Sequence, residues 1–123
     1  MALTSPRFAR NDRLQAAANN QPPLKTGETG EAVEILQQAL IDLGASMPKS
    51  TNQSGLPDGI YGPETAATVT AFQASQGLAQ DGIAGKDTLG RLDSIYAHLE
   101  SLERAKLVAE LNTPAPFGPW YIS

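Results

Sequence analysis

Two eight-residue stretches hold most of the polar groups that could act together at a fixed spacing. Asp58-Gly59-Ile60-Tyr61-Gly62-Pro63-Glu64-Thr65 is followed 23 residues on by Asp81-Gly82-Ile83-Ala84-Gly85-Lys86-Asp87-Thr88, and the two agree at Asp, Gly, Ile, Gly and Thr. Five identities in eight positions read as an internal duplication. In each copy the aspartate can accept hydrogen bonds from the amides of its own turn. Glycine stands where φ is positive or the backbone is crowded, and a threonine hydroxyl is placed to bond back to the turn. This chemistry is hydrogen bonding from a rigid turn, and no bond-breaking step is implied by it.

Catalytic constellations are not evident elsewhere. His98 is the single histidine and there is no cysteine, so no zinc-ligand spacing and no disulfide can be assembled. His98 falls on the polar side of an expected helix and reads as a solvated residue. No Gly-x-Ser-x-Gly nucleophile elbow occurs. A carboxylate pair for general acid and base work would have to come from Asp and Glu residues that already read as turns or helix faces. The expectation is a protein that is not an enzyme and carries no cofactor and no metal.

The turns must be held by helices. Val33, Leu36, Leu40 and Leu43 recur at spacings of three and four, which predicts an amphipathic helix over 31–43 closed by Gly44. Residues 45–57 form a polar loop. The first turn leads into a helix with Pro63 in its first turn and Glu64 at the positive end of its dipole. Thr65, Val69 and Phe72 lie on its inner face and Gly77 ends it. The second turn launches a third helix near Lys86 that continues through Leu92, Ile95, Tyr96, Leu99 and Leu102 until Asn112 and Pro114. The fold is therefore expected to be all-α: a small three-helix bundle with a long C-terminal helix and extended arms. Its core is drawn from Val33, Leu36, Leu40, Leu43, Ile60, Val69, Phe72, Ile83, Leu89 and Leu92. Segment 1–23, ending in Asn19-Asn20-Gln21-Pro22-Pro23, has too few large apolar residues for a core of its own and reads as an N-terminal arm. Residues 24–92 form the domain, 93–111 a helical extension, and 112–123 a Pro/aromatic tail.

Charge narrows the partners. With 13 acidic and 9 basic residues the net charge is −4, which argues against nucleic acid. The arm opposes this balance, with Arg7, Arg10 and Arg13 against Asp12 alone. No apolar run approaches the roughly 20 residues that span a bilayer, so membrane insertion is not expected. The first residues also lack the apolar stretch of a secretory signal peptide.

The motifs in order resemble a known family, the helical peptidoglycan-binding domain often appended to cell-wall hydrolases. The resemblance is carried by Leu24, Gly27 and Gly30; by Val33, Leu36-Gln37, Leu40 and Leu43-Gly44; by the Asp58–Thr65 turn; by Val69 with Phe72-Gln73; and by the Asp81–Thr88 turn. It covers about 69 of the 123 residues. Thr68 replaces a usual alanine, Leu89 stands where many members have tryptophan, and the 45–57 loop is longer than usual. The last two bear on ligand preference.

The resemblance implies non-catalytic binding of bacterial cell-wall peptidoglycan, through its glycan or its stem peptide, by a surface around the two turns. Asp58, Tyr61, Gly62, Thr65, Gln73, Asp81, Gly85 and Thr88 are the candidate residues, each with a structural duty in the turn beside the binding one. An alternative is a structural adaptor, a plug in a phage-tail-like or contractile injection particle that uses the same fold for protein–protein contacts. That reading expects a protein partner held through the arms, at Tyr96, Leu99, Leu107, Leu111, Phe117, Trp120 and Tyr121. It also expects synthesis in the cytoplasm without a signal peptide and arrival at the wall as part of an assembly.

Overall fold

The computed structural model describes residues 2–51 and 56–108, with side chains as far as residue 102. Among them are five α-helices and a single 3-10 turn. The helices are α1 (Pro6–Ala9), α2 (Asp12–Ala17), α3 (Glu31–Asp42), α4 (Pro63–Ser75) and α5 (Lys86–Val108), and the 3-10 turn is Pro48–Ser50. Extended pairing is limited to isolated antiparallel bridges, Leu24 with Ala84, Thr29 with Ile60, and Thr51 with Pro57. The all-α expectation holds.

Helices α3 and α4 begin and end on the residues the pattern marks. Glu31 and Glu34 face the positive end of α3, and Pro63 opens α4 where an N–H would have no partner. Both close in the same way. Ala45 donates to Leu40 O at 3.0 Å and Gly44 to Ile41 O at 2.8 Å. At the end of α4, Leu78 donates to Gln73 O and Gly77 to Ala74 O. These bonds satisfy carbonyls that a helix end otherwise leaves open, and the left-handed φ of Gly44 and Gly77 permits them. The core joins Val33, Leu36, Leu40 and Leu43 of α3, Val69 and Phe72 of α4, and Leu89, Leu92 and Tyr96 of α5. Two expected members differ. Ile60 is 53% exposed, because its turn uses the backbone of this residue, paired with Thr29, and turns the side chain outward. Ile83, its counterpart, is only half-buried.

The larger difference concerns the segment before Leu24, expected as a separate arm. It lies in the same core. Leu3, Phe8, Leu14, Ala17 and Ala18 are buried there beside the α3 and α5 residues. Phe8 meets Tyr96 edge-to-face at 5.6 Å between ring centroids, and Arg7 stacks over the same ring at 4.2 Å. Buried Asp93 accepts from the amide and hydroxyl of Thr4 and from the Ser5 amide, at 2.7–3.0 Å. Ser5 caps α1, and its hydroxyl donates a hydrogen bond to Glu100. Two of the three arginines are neutralised within the domain, Arg7 by Asp42 and Arg13 by both oxygens of Glu28. This segment covers the apolar stripe of α5, so α5 passes Leu92 without a break in the packing.

Candidate functional site

Each turn is wired by one buried glutamine from the preceding helix. The Gln37 amide nitrogen lies within bonding distance of Asp58 Oδ1, Ile60 O and Thr65 Oγ1, at 3.0–3.1 Å, while its oxygen accepts from the Gly59 amide at 2.9 Å. Gln73 makes the same set. Its nitrogen lies 2.9–3.0 Å from Asp81 Oδ1, Ile83 O and Thr88 Oγ1, and its oxygen accepts from the Gly82 amide at 3.0 Å. In each turn the aspartate also accepts from the amide two residues on. The glycine that follows it takes the left-handed φ, +72° at Gly59 and +70° at Gly82.

Several candidates are consumed by this framework. Thr65, Thr88 and Gln73 are buried and bonded within their turns. Tyr61 is 1% exposed, and its hydroxyl donates to Gly82 O at 2.6 Å. Its ring therefore ties the first turn to the second and is not a surface contact. Burial, reinforced by the Asp81 charge, pushes its phenol far above the ordinary tyrosine range. Gly62 has an extended backbone, φ −106°, with open space where a Cβ would stand, so positive φ is not its reason. Gly85 is restricted by crowding, since a Cβ there would meet Asn20 Oδ1 and Pro23 Cβ.

Sequence reasoning singled out Gln73 and missed Gln37. Both follow a large apolar residue of their helices, as Leu36-Gln37 and Phe72-Gln73. Spacing hides the equivalence, because Gln37 precedes its aspartate by 21 residues and Gln73 by 8. Residues 45–57 lie in the longer interval. They are also less polar in place than their composition implies. Met47 and Ser50 are buried, Ser50 O accepts the Asp58 amide at 2.7 Å, and Ser50 Oγ reaches Thr65 Oγ1 at 3.5 Å.

The second turn borders a groove of about 280 Å³. Its lining joins residues of the turn, among them Asp81, Ile83 and Asp87, with Leu78 before the turn and with Asn20 and Pro23 from the first segment. Asp81 and Asp87 are exposed, as is Lys86 on the same rim. The groove thus mixes carboxylates, a cation, backbone and half-buried apolar surface, which suits reversible recognition of a polar ligand. Among the described residues no group of three or more His, Cys, Asp or Glu side chains is placed to hold a metal ion. No helix among them is long and apolar enough to cross a membrane. Leu89, in the place of the expected tryptophan, is buried and does not face the groove.

The expected partner surface is altered. Tyr96 is buried with its hydroxyl on Ala39 O at 2.6 Å, and Leu99 packs partly buried against the same core. Tyr96 is covered by Phe8 and Arg7 from the chain's own first residues. The side chain of Leu107, and Leu111, Phe117, Trp120 and Tyr121 altogether, lie outside the described residues.

Residues 29–92 match the family described as "Putative peptidoglycan binding domain". Over 66 residues the chain is 41% identical to the N-acetylmuramoyl-L-alanine amidase CwlL of Bacillus licheniformis, covering 54% of this chain and 18% of that protein. Over 69 residues it is 42% identical to the zinc D-Ala-D-Ala carboxypeptidase of Streptomyces albus G, covering 56% of this chain and 25% of the relative. Over 76 residues it is 37% identical to an uncharacterized protein in the bpoA1 3' region of Kitasatospora aureofaciens, 62% of this chain and 59% of that one. The chain thus spans less than two-thirds of the length of each relative.

Proposed function

The chain belongs to the peptidoglycan-binding domain family, and from that premise we propose that it binds cell-wall peptidoglycan without catalysis and holds whatever it is attached to at the wall. The observation that carries this reading is the groove at the second turn, which lies largely inside the family-matched stretch and is lined by exposed polar groups on a rigid frame. Two of the relatives are named as enzymes that act on amide bonds. They match here only over this segment. On this reading the binding role falls to this domain and the chemistry to parts of those relatives that lie outside the match. The two turns, bonded alike, are best understood as one unit used twice, with the second facing the ligand.

The test is co-sedimentation of the full chain with purified sacculi. Binding should be saturable and should weaken when Lys86 and Asp87 are both changed to alanine. Those substitutions are on exposed positions, and the loss of Asp87 from the first turn of α5 should lower stability by no more than about 1 kcal/mol, so the chain stays folded. Absence of sedimentation, or sedimentation indifferent to the double variant, would overturn the assignment of the groove.

A further inference from the structure

One wall of the groove comes from outside the family-matched stretch. Asn20 stands at a left-handed φ of 60°, and its Oδ1 accepts the Lys86 amide at 2.9 Å across 66 residues of sequence. Its position is set on both sides. Asn20 N donates to Ala17 O and Gln21 N to Ala16 O. Arg13 grips Pro22 O at 2.8 Å while bound to Glu28, and Leu24 exchanges two backbone bonds with Ala84. Asn20 and Pro23 are therefore built into the groove and crowd Gly85 at its floor.

The bonds leave a defined set of groups open. Asn20 Oδ1 is taken by Lys86, which leaves its Nδ2 without a partner among the described residues. Asp81 uses Oδ1 within its turn, leaving Oδ2, and the Asp87 carboxylate is unengaged among the described residues. A donor beside two carboxylates complements a secondary amide, whose carbonyl accepts from Nδ2 and whose N–H donates to a carboxylate. A ligand carboxylate has no N–H to give and faces two like charges against the single cation Lys86.

We propose that Asn20 is a ligand-binding residue of the groove, donating Nδ2 to the carbonyl of a neutral secondary amide, while Asp81 and Asp87 accept its N–H and turn away a free carboxylate. The inference rests on the groove assignment above and names the ligand group for it. Such an amide occurs both as the acetamido substituent of the glycan and as a link of the stem peptide, and separate probes distinguish the two sources.

The full chain is titrated by NMR with N-acetylglucosamine tetramer and with cellotetraose, an uncharged tetramer with a hydroxyl in place of each acetamido group. It is also titrated with N-acetyl-D-alanine N-methylamide, which ends in a secondary amide, and with N-acetyl-D-alanine, which ends in a free carboxylate. At least one amide probe should bind with shifts at groove amides, about 5-fold or more tighter than its counterpart, the size of one lost hydrogen bond or one like-charge contact near a surface. Asn20→Gly suits the left-handed φ, should weaken binding of the amide probe about 5-fold and should abolish the exchange protection of the Lys86 amide. Asn20→Asp keeps an acceptor for Lys86 but loses the Nδ2 donor. It should retain the protection yet bind the amide probe about 5-fold more weakly than the parent, which a purely structural Asn20 would not do. Equal affinities within both pairs, binding of no probe, or an Asn20→Asp variant with the parent's affinity for the amide probe would each overturn the proposal. Sedimentation with sacculi separates the two readings. A chain that sediments without amide preference retains wall binding and refutes the amide fit of the groove. A chain with the preference that fails to sediment retains the groove chemistry and refutes wall binding.

Discussion

The two turns share their hydrogen bonds and differ in what lies over them. At the first, the loop from Met47 to Thr51 folds inward, so that Ser50 takes the Asp58 amide and approaches Thr65. At the second, no loop among the described residues packs on Thr88 in this way, and Asn20 and Pro23 line the groove beside it. One arrangement of Gln, Asp, Gly and Thr therefore serves as framework in one place and as framework beside the proposed ligand surface in the other. The lesson is that a motif's bonding says how a turn is held, and its neighbours say whether it is available.

The strongest way to test that equivalence is to cut both glutamines. Gln37→Leu and Gln73→Leu each leave a buried glycine amide without its partner and take a bond from the turn's carbonyl and threonine hydroxyl, at about 1–3 kcal/mol for an unsatisfied group. Losses of about 3 kcal/mol from each, measured by urea unfolding, are expected. Only Gln73→Leu should also weaken sedimentation with sacculi in conditions where both variants stay folded. Equal loss of binding from Gln37→Leu would break the distinction between the turns.

Next in size are the second glycines. Gly85→Ala should cost about 1–2 kcal/mol by crowding Asn20 and Pro23. Gly62→Ala, with open space and an extended φ, should be neutral or gain about 0.5 kcal/mol through the unfolded chain. Thermal melts of the pair decide it, and a Gly62→Ala variant as unstable as Gly85→Ala would refute the contrast.

The link between the turns comes third. Tyr61→Phe removes the bond to Gly82 O and should cost about 1 kcal/mol. It also has a pH signature. Burial raises the Tyr61 phenol, and that of Tyr96 to about 12, from an ordinary value of 10. An acid whose folded pKa is raised contributes stability that is complete below the unfolded value and is lost as pH rises through the folded one. Stability should therefore decline above pH 10, with phenolate absorbance and helicity changing together. Two phenols ionising near pH 10 in a folded chain would contradict their burial.

The smallest effect belongs to the Arg13–Glu28 pair, which sets the approach to Asn20. The hydrogen bond from Arg13 holds the Glu28 carboxyl below its usual range. That contribution is present above the unfolded carboxyl value and fades as pH falls through the folded one. Glu28→Gln should cost no more than about 1 kcal/mol in a partly exposed pair, and should flatten the acid limb of the stability curve. An unchanged acid limb would remove the pair from the account.

What was legible follows from what local pattern encodes. Helices α3 and α4 run 12 and 13 residues, long enough to show their period, and their glycine stops sit in plain view. The Asp, Gly and Thr positions repeat and so announce themselves. Gln37 did not, because the loop between it and Asp58 shifts it out of register with Gln73. Burial at the N-terminus was hidden for another reason. Helices of 4 and 6 residues carry too little period to reveal a buried face, and the stripe they cover on α5 lies some 80–90 residues away. Tyr61 and Tyr96 were misread for one shared reason, since an aromatic hydroxyl satisfied by a buried carbonyl looks, in sequence, like one meant for a surface.

The bonds between Asp93 and Thr4 and Ser5 join positions 88 and 89 residues apart, which sets an order in time. During synthesis Thr4 and Ser5 emerge well before their acceptor, which follows 88–89 residues later. Leu3, Phe8 and Leu14 must wait uncovered until α5 leaves the ribosome, and closing so long a loop comes late because its chain entropy is paid before its contacts form. The groove wall at Asn20 waits with them. The proposed binding surface is therefore completed late in folding, and a chain interrupted before α5 would have its turn motifs without the groove beside them.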